Sequence, residues 1–128
     1  MQDELTEKII GCAMEVHRRL GPGYFESVYE KALLIELRYA GLNCANQVAI
    51  NVTYRNEAVG EFVADIVVEK RVILELKACQ SLHQRNEAQV VNYLVATGYD
   101  VGLLLNFGAD SLQFKRKHRV YQQAAKSC

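Results

Sequence analysis

Two nearly continuous apolar runs, separated by three charged residues, each carry one acid where the pattern calls for none. They are FVADIVV (Phe62–Val68) and VILELKA (Val72–Ala78). Both have the length and β-branched content of strands, and Glu69-Lys70-Arg71 between them reads as a short turn. Side chains alternate across a strand, so Val63, Asp65 and Val67 are expected on one face of the first run, with Phe62, Ala64, Ile66 and Val68 on the other. In the second run Ile73, Glu75 and Lys77 share a face. A three-residue turn pairs Val68 with Val72 and sets Asp65 opposite Glu75, with Cβ atoms ~5 Å apart. A two-residue turn would send them to opposite faces.

Two carboxylates facing each other inside a sheet repel, and an unpaired buried charge costs several kcal/mol. Lys77 on the same face offsets one negative charge, and a divalent cation would offset the rest. Mg²⁺ prefers carboxylate oxygens and keeps several waters. Asp65, Glu75 and the Leu76 backbone carbonyl are the candidate ligands, with Mn²⁺ as an alternative ion. A metal lowers the pKa of its water, and Lys77 would orient that nucleophile. The competing reading is a salt-bridged strand face on which Lys77 neutralises Glu75.

The remaining chain supplies a frame. Leu5, Ile9, Cys12, Ala13, Val16 and Leu20 recur at helical spacing, and Gly21-Pro22-Gly23 stops that helix. A second helix is expected from about Phe25 to Ala40, with Gly41 after it. Val48, Ile50, Val52 and Tyr54 alternate with Gln47, Ala49, Asn51 and Thr53, the pattern of a half-buried strand. Arg55-Asn56-Glu57 is a turn, and the next strand runs from about Ala58 to Val68. Helical spacing returns over Asn86–Thr97. Val101–Phe107 is apolar on both faces, as a central strand covered by helices would be. Asn106, with Phe107 and Gly108, reads as a turn. A last strand, Leu112–Tyr121, is basic and amphipathic. The order α-α-β-β-β-α-β-β gives an α/β (α+β) fold, a mixed central sheet flanked by helices, with residues 1–128 as a single domain.

Composition limits the function classes. Half of the 128 residues are hydrophobic and 23% are charged, which excludes global disorder. No apolar run approaches the ~20 residues of a membrane span. The acidic, amphipathic N-terminus is not a secretory signal, so a cytoplasmic location is expected. Cys12, Cys44, Cys79 and Cys128 are scattered, which suits reduced thiols better than zinc or disulfides. His17, His83 and His118 lack a second ligand at useful spacing and are expected at the surface. The formal net charge of zero argues against a basic nucleic-acid coat. The stretch Lys115–Lys126, however, carries five basic residues and no acid. Lys115, Arg116, Lys117 and Arg119 are either a solvated edge strand or contacts to phosphate.

The residues also carry a family pattern. Asp65, followed after nine residues by Glu75-Leu76-Lys77, resembles the PD-(D/E)XK motif; the proline position holds Ala64. Gly23-Tyr24-Phe25-Glu26-Ser27-Val28-Tyr29 resembles the signature of the small GxxExxY proteins of that nuclease superfamily. Gln89-Val90-Val91-Asn92-Tyr93 resembles the QxxxY motif of RecB-like members. The resemblance spans about residues 5–120 and implies a restriction-endonuclease-like core. It implies metal ligation by Asp65 and Glu75, a nucleophile-positioning Lys77, and Glu26 facing the metal or its water. Gln89 and Tyr93, four apart on one helix face, would face the same cleft, Tyr93 towards substrate. Taken alone, Glu26 is also what a helix dipole favours in a first turn. Tyr29 and Tyr93 are also what a core edge uses.

The implied activity is Mg²⁺-dependent hydrolysis of DNA with little sequence preference, leaving 5′-phosphate and 3′-hydroxyl ends. A homodimer would bring a second site for the other strand. The alternative is a catalytically silent nuclease-fold module that binds nucleic acid or a protein partner.

Overall fold

The structure, a computed structural model, describes residues 2–119. Three helices and five strands follow in the expected order: α1 (Gln2–Leu20), α2 (Glu26–Tyr39), β1 (Cys44–Tyr54), β2 (Glu57–Val68), β3 (Val72–Lys77), α3 (Gln84–Thr97), β4 (Val101–Asn106) and β5 (Gln113–His118). The sheet order is β1-β2-β3-β4-β5. All neighbours are antiparallel except β3 and β4, which run parallel and are joined through α3. This is a five-stranded mixed sheet flanked by helices, as in a restriction-endonuclease-like fold.

The two faces carry separate cores. Ile9, Ala13 and Val16 of α1 and Tyr29, Leu33 and Leu37 of α2 pack on Val72, Leu74, Leu76, Leu103 and Leu105. On the opposite face, Tyr93 and Leu94 of α3 pack on Ile50, Ala64, Val67 and Ile73. Strands β3 and β4 are therefore buried on both sides, which their unbroken apolar runs require. The α2 residues Ile35 and Tyr39 face solvent.

Several expectations need correction. The turn after β1 is tighter than expected. Only Arg55 and Asn56 turn, both at positive φ, and Glu57 already belongs to β2. The last strand ends at His118; Val120, Tyr121 and Lys126 lie outside the described residues. His17 is not a surface residue. It is 8% exposed, stacks on Phe107, and its Nε2 donates to the Ala109 carbonyl at 2.9 Å. His83 and His118 are exposed as expected.

Strand β2 does not keep one alternation throughout. Ile66 and Val68 pack with α1 and α2, whereas Ala64 and Phe62 pack with α3, on the same side as Val67. Strand β1 does the same: Cys44 packs on the first face, Val48 and Ile50 on the second. Both strands turn over at one point, where Gln47 takes φ 53 opposite Asp65. The expected sharing of a face by Val63, Asp65 and Val67 fails for this reason.

Asn106 is not a turn residue but the buried last residue of β4. Its Oδ1 accepts from the backbone N–H of Cys79 at 2.9 Å and of Gly108 at 3.0 Å. Its Nδ2 donates to the Cys79 carbonyl at 2.9 Å and to Gln113 Oε1 at 2.8 Å. The segment that follows Lys77 is thus clamped to β4, with a further bond from Phe107 N–H to the Lys77 carbonyl at 2.9 Å. A side chain on Gly108 would collide with the backbone of Ala78 and Cys79, so that approach needs glycine. We expect Asn106→Ala to cost about 2–4 kcal/mol, because it strands buried backbone groups of Cys79, measured as a lowered midpoint in urea. An unchanged midpoint would show the clamp to be dispensable.

Candidate active site

The three-residue turn holds. Val68 pairs with Val72, Val67 with Ile73 and Ile66 with Leu74. The next position in that register is Asp65 opposite Glu75, and there the ladder stops. The two strands exchange side-chain bonds in place of backbone ones. Leu76 N–H donates to Asp65 Oδ2 at 2.8 Å, and Asp65 N–H donates to Glu75 Oε1 at 3.2 Å. Each carboxylate is thereby fixed by the other strand's backbone and keeps lone pairs free. Extended backbone aims a residue's N–H and C=O at the same edge, so the Leu76 carbonyl also faces the opening beside Asp65.

Burial makes this pair electrostatically tense. Glu75 is 5% exposed, and its carboxyl is pushed up to about 8, first by desolvation and then by the Asp65 charge. Lys77 and the Asp65 N–H pull the other way without winning. The Asp65 carboxyl is also raised, by desolvation above all, against the bond from Leu76 N–H. Among the described residues no salt bridge joins Lys77 to Glu75, so the salt-bridged strand face expected as the rival reading does not form.

Glu26 opens α2, after the Phe25 N-cap. The loop before it is pinned by Tyr29, whose hydroxyl donates to the Gly21 carbonyl at 2.6 Å and accepts from Tyr24 N–H at 3.2 Å. The Tyr29 ring stacks on Phe107 at 4.7 Å. So Tyr29 works from the core, as a core-edge tyrosine would, and its effect is to place Glu26. The Glu26 carboxyl is raised by partial desolvation; the Lys77 ammonium opposes this and the Asp65 and Glu30 charges add to it. Glu26, Glu30, Asp65, Glu75 and Lys77 thus form one electrostatic group.

Tyr93 is also a core residue. Its ring stacks on Phe62 with centroids 3.9 Å apart. Its hydroxyl is pushed up to about 12, first by burial and then by the Glu75 and Asp65 charges. Gln89 lies one turn earlier on the same α3 face and is partly exposed. The basic strand does not act as one patch. Lys117 is committed to Glu87 of α3 at 3.0 Å, Lys115 shares its face, and Arg116 points to the opposite one. Arg119 pairs with Asp100 at 3.0 Å and donates to the Gly98 carbonyl at 2.6 Å.

Two residues of this neighbourhood were not foreseen. Glu30 lies one turn after Glu26, a spacing that could have announced it. Gln47 donates to both Glu30 oxygens, at 2.9 and 3.1 Å. In the sequence Gln47 looked like one of several polar residues on the solvent face of β1.

A family model of the PD-(D/E)XK nuclease superfamily matches residues 3–119. The chain belongs to the PD-(D/E)XK nuclease superfamily. No curated protein is significantly similar to it. One solved structure, described as "Crystal structure of SSO0001", has a similar fold at a TM-score of 0.61 and 16% sequence identity. The match covers 77% of this chain and 52% of the other, so the chain spans about half the length of that structure. No described helix is long and apolar enough to cross a membrane.

PD-(D/E)XK nucleases generally use divalent metals, and the donors here suit a hard one. Two carboxylates and a backbone carbonyl are all oxygen ligands, set where like charge is least compensated. Among the described residues no group of three or more His, Cys, Asp or Glu side chains is arranged to hold a metal. The shell would therefore need the Leu76 carbonyl, substrate phosphate and water beside Asp65 and Glu75.

The raised Glu75 carboxyl has a direct consequence for metal-free protein. The folded state holds its proton more tightly than the unfolded state, whose carboxyl is near 4.5. Its stabilising contribution is complete below about 4.5 and is lost as pH rises through about 8. We expect metal-free wild type to lose stability across that window at up to about 1.4 kcal/mol per pH unit, and Glu75→Gln to flatten the slope. Denaturant midpoints at stepped pH would show it. Parallel profiles for the two proteins would contradict the burial of a strained Glu75.

Proposed function

We propose that the chain is a divalent-metal-dependent deoxyribonuclease of the GxxExxY type, formed by residues 1–128 as one nuclease domain. It would cut phosphodiester bonds with little sequence preference, leaving 5′-phosphate and 3′-hydroxyl ends. One observation carries the reading: Asp65 and Glu75 meet where β2 and β3 part, cross-bonded to each other's strand and without a salt bridge to relieve them. A purely structural role gives no reason to keep two like charges there. Membership of the nuclease superfamily supports the same chemistry.

A bound Mg²⁺ or Mn²⁺ would supply Lewis acidity and lower the pKa of an attacking water. Asp65, Glu75 and the Leu76 carbonyl would hold it. Lys77 projects two residues beyond Glu75 on the same sheet face, where its ammonium would orient the nucleophile and meet charge developing on the phosphate oxygens. Glu26, on the other side of Lys77, would keep that ammonium in line. Gln89 and Lys115 lie on the α3 side and would contact phosphates without reading bases. A second copy of the chain would supply the site for the opposite strand of a duplex.

The test is cleavage of labelled duplex and single-stranded DNA with Mg²⁺ or Mn²⁺, with product ends checked by ligation. We expect wild type to release ligatable 5′-phosphate ends. Lys77→Ala and Asp65→Ala should each lose at least about 100-fold in rate, a loss typical of removing one transition-state contact, with both variants shown to be folded by circular dichroism. Wild type that binds metal and DNA yet never cuts either substrate would leave the fold as a silent binding module.

A further inference from the structure

Five described residues other than glycine have positive φ. Arg55 and Asn56 make the β1–β2 turn, and Glu69 and Lys70 make the β2–β3 turn. The fifth, Gln47, sits at φ 53 inside the eleven-residue strand β1. Side-chain-bearing residues avoid that region, and it persists where the surroundings enforce it. Here it coincides with three other irregularities. The β1–β2 ladder pairs Asn46 with Ile66 and Val48 with Ala64 but skips Gln47 and Asp65 between them. Both strands exchange their faces at that step. In an unbroken antiparallel ladder the Asp65 N–H would face β1; instead it reaches Glu75 on β3.

The side chain of Gln47 is anchored at the same place. Its Nε2 donates to Glu30 Oε1 at 2.9 Å and Oε2 at 3.1 Å, and Asn46 Nδ2 adds a bond to Glu30 Oε2 at 3.2 Å. The register sets Gln47 opposite Asp65, whose carboxyl the amide draws down. Hydrogen bonds therefore tie Glu30 on α2 to Gln47 on β1, and Asp65 on β2 to Leu76 on β3, with Gln47 and Asp65 facing each other across the skipped β1–β2 step.

We propose that Gln47 is a positioning residue for the carboxylate pair. Its left-handed backbone opens the ladder so that Asp65 turns towards β3, and its amide, held by Glu30, stands between two carboxylates and keeps Asp65 aimed at the metal position. The proposal rests on the metal-dependent nuclease reading and adds to it a residue that touches neither substrate nor metal. Glu30 acts through Gln47 in the same way.

The distinguishing experiment pairs stability with metal affinity in the full chain. Glycine accepts positive φ freely. Gln47→Gly should therefore melt, without metal, within about 4 °C of wild type or above it. Its affinity for Mn²⁺, titrated calorimetrically alone and with a short phosphorothioate duplex, should fall at least tenfold. Glu30→Ala should show the same loss, and Glu30→Gln, which keeps an acceptor oxygen for the amide, should bind Mn²⁺ within threefold of wild type. Wild-type affinity in both Gln47→Gly and Glu30→Ala would overturn the proposal while leaving the nuclease reading intact. If Gln47→Gly fails to fold, the Glu30 pair decides: equal affinities of Glu30→Ala and Glu30→Gln would reject the role. If wild type binds Mn²⁺ no better than Asp65→Ala, the metal reading falls and this proposal falls with it.

Discussion

The structure is organised around an unrelieved charge. Glu75 lies in the middle of a strand buried on both faces, with the Asp65 carboxylate as its neighbour. Burying one carboxylate in apolar surroundings is costly, and a second one close by adds repulsion. The chain does not remove the problem by pairing Lys77 directly with Glu75. It distributes bonds instead: each acid accepts a backbone N–H from the strand of the other. That exchange is possible only because the β2–β3 ladder ends one step earlier, at Ile66 and Leu74.

The rest of the fold can be read as the support of that opening. Strands β3 and β4 form a rigid parallel pair with apolar cover on both sides. Asn106 and Gly108 lock the segment after Lys77 onto β4. From one side, Tyr29 fixes the Gly-Pro-Gly loop and so sets where Glu26 begins α2. From the other, Tyr93 closes the apolar floor with Phe62, and its hydroxyl feels the charges of Glu75 and Asp65. Side chains held by such packing keep their geometry at little further entropic cost, which is what a metal or phosphate site needs.

Periodicity was enough to place most elements, because apolar spacing changes from helical to alternating at clear Gly and turn residues. The register of Asp65 against Glu75 was legible because it depends only on turn length. The turn-over of β1 and β2 was not. It hinges on a left-handed residue, and glutamine gives no local signal of that conformation as Gly or Asn would. Asn106 misled for the opposite reason. Asn before Phe-Gly has the chemistry of a turn, but its partners, Cys79 and Gln113, lie 27 and 7 residues away in the chain. His17 falls four residues after Ala13, on the edge of the α1 apolar stripe; that spacing signalled its burial, whereas its polar character suggested the surface. The contiguous basic letters of Lys115-Arg116-Lys117 suggested a patch that strand alternation divides.

The central claim is that the Asp65–Glu75 pair is a liability without a cation and an asset with one. The most direct test is thermal melting of wild type beside Glu75→Gln at pH near 8, first with chelator and then with saturating Mn²⁺. The account predicts an inversion: Glu75→Gln melts higher than wild type without metal, and wild type melts higher once Mn²⁺ is present. The same order in both conditions would contradict it and would make the buried acids a structural feature unrelated to metal.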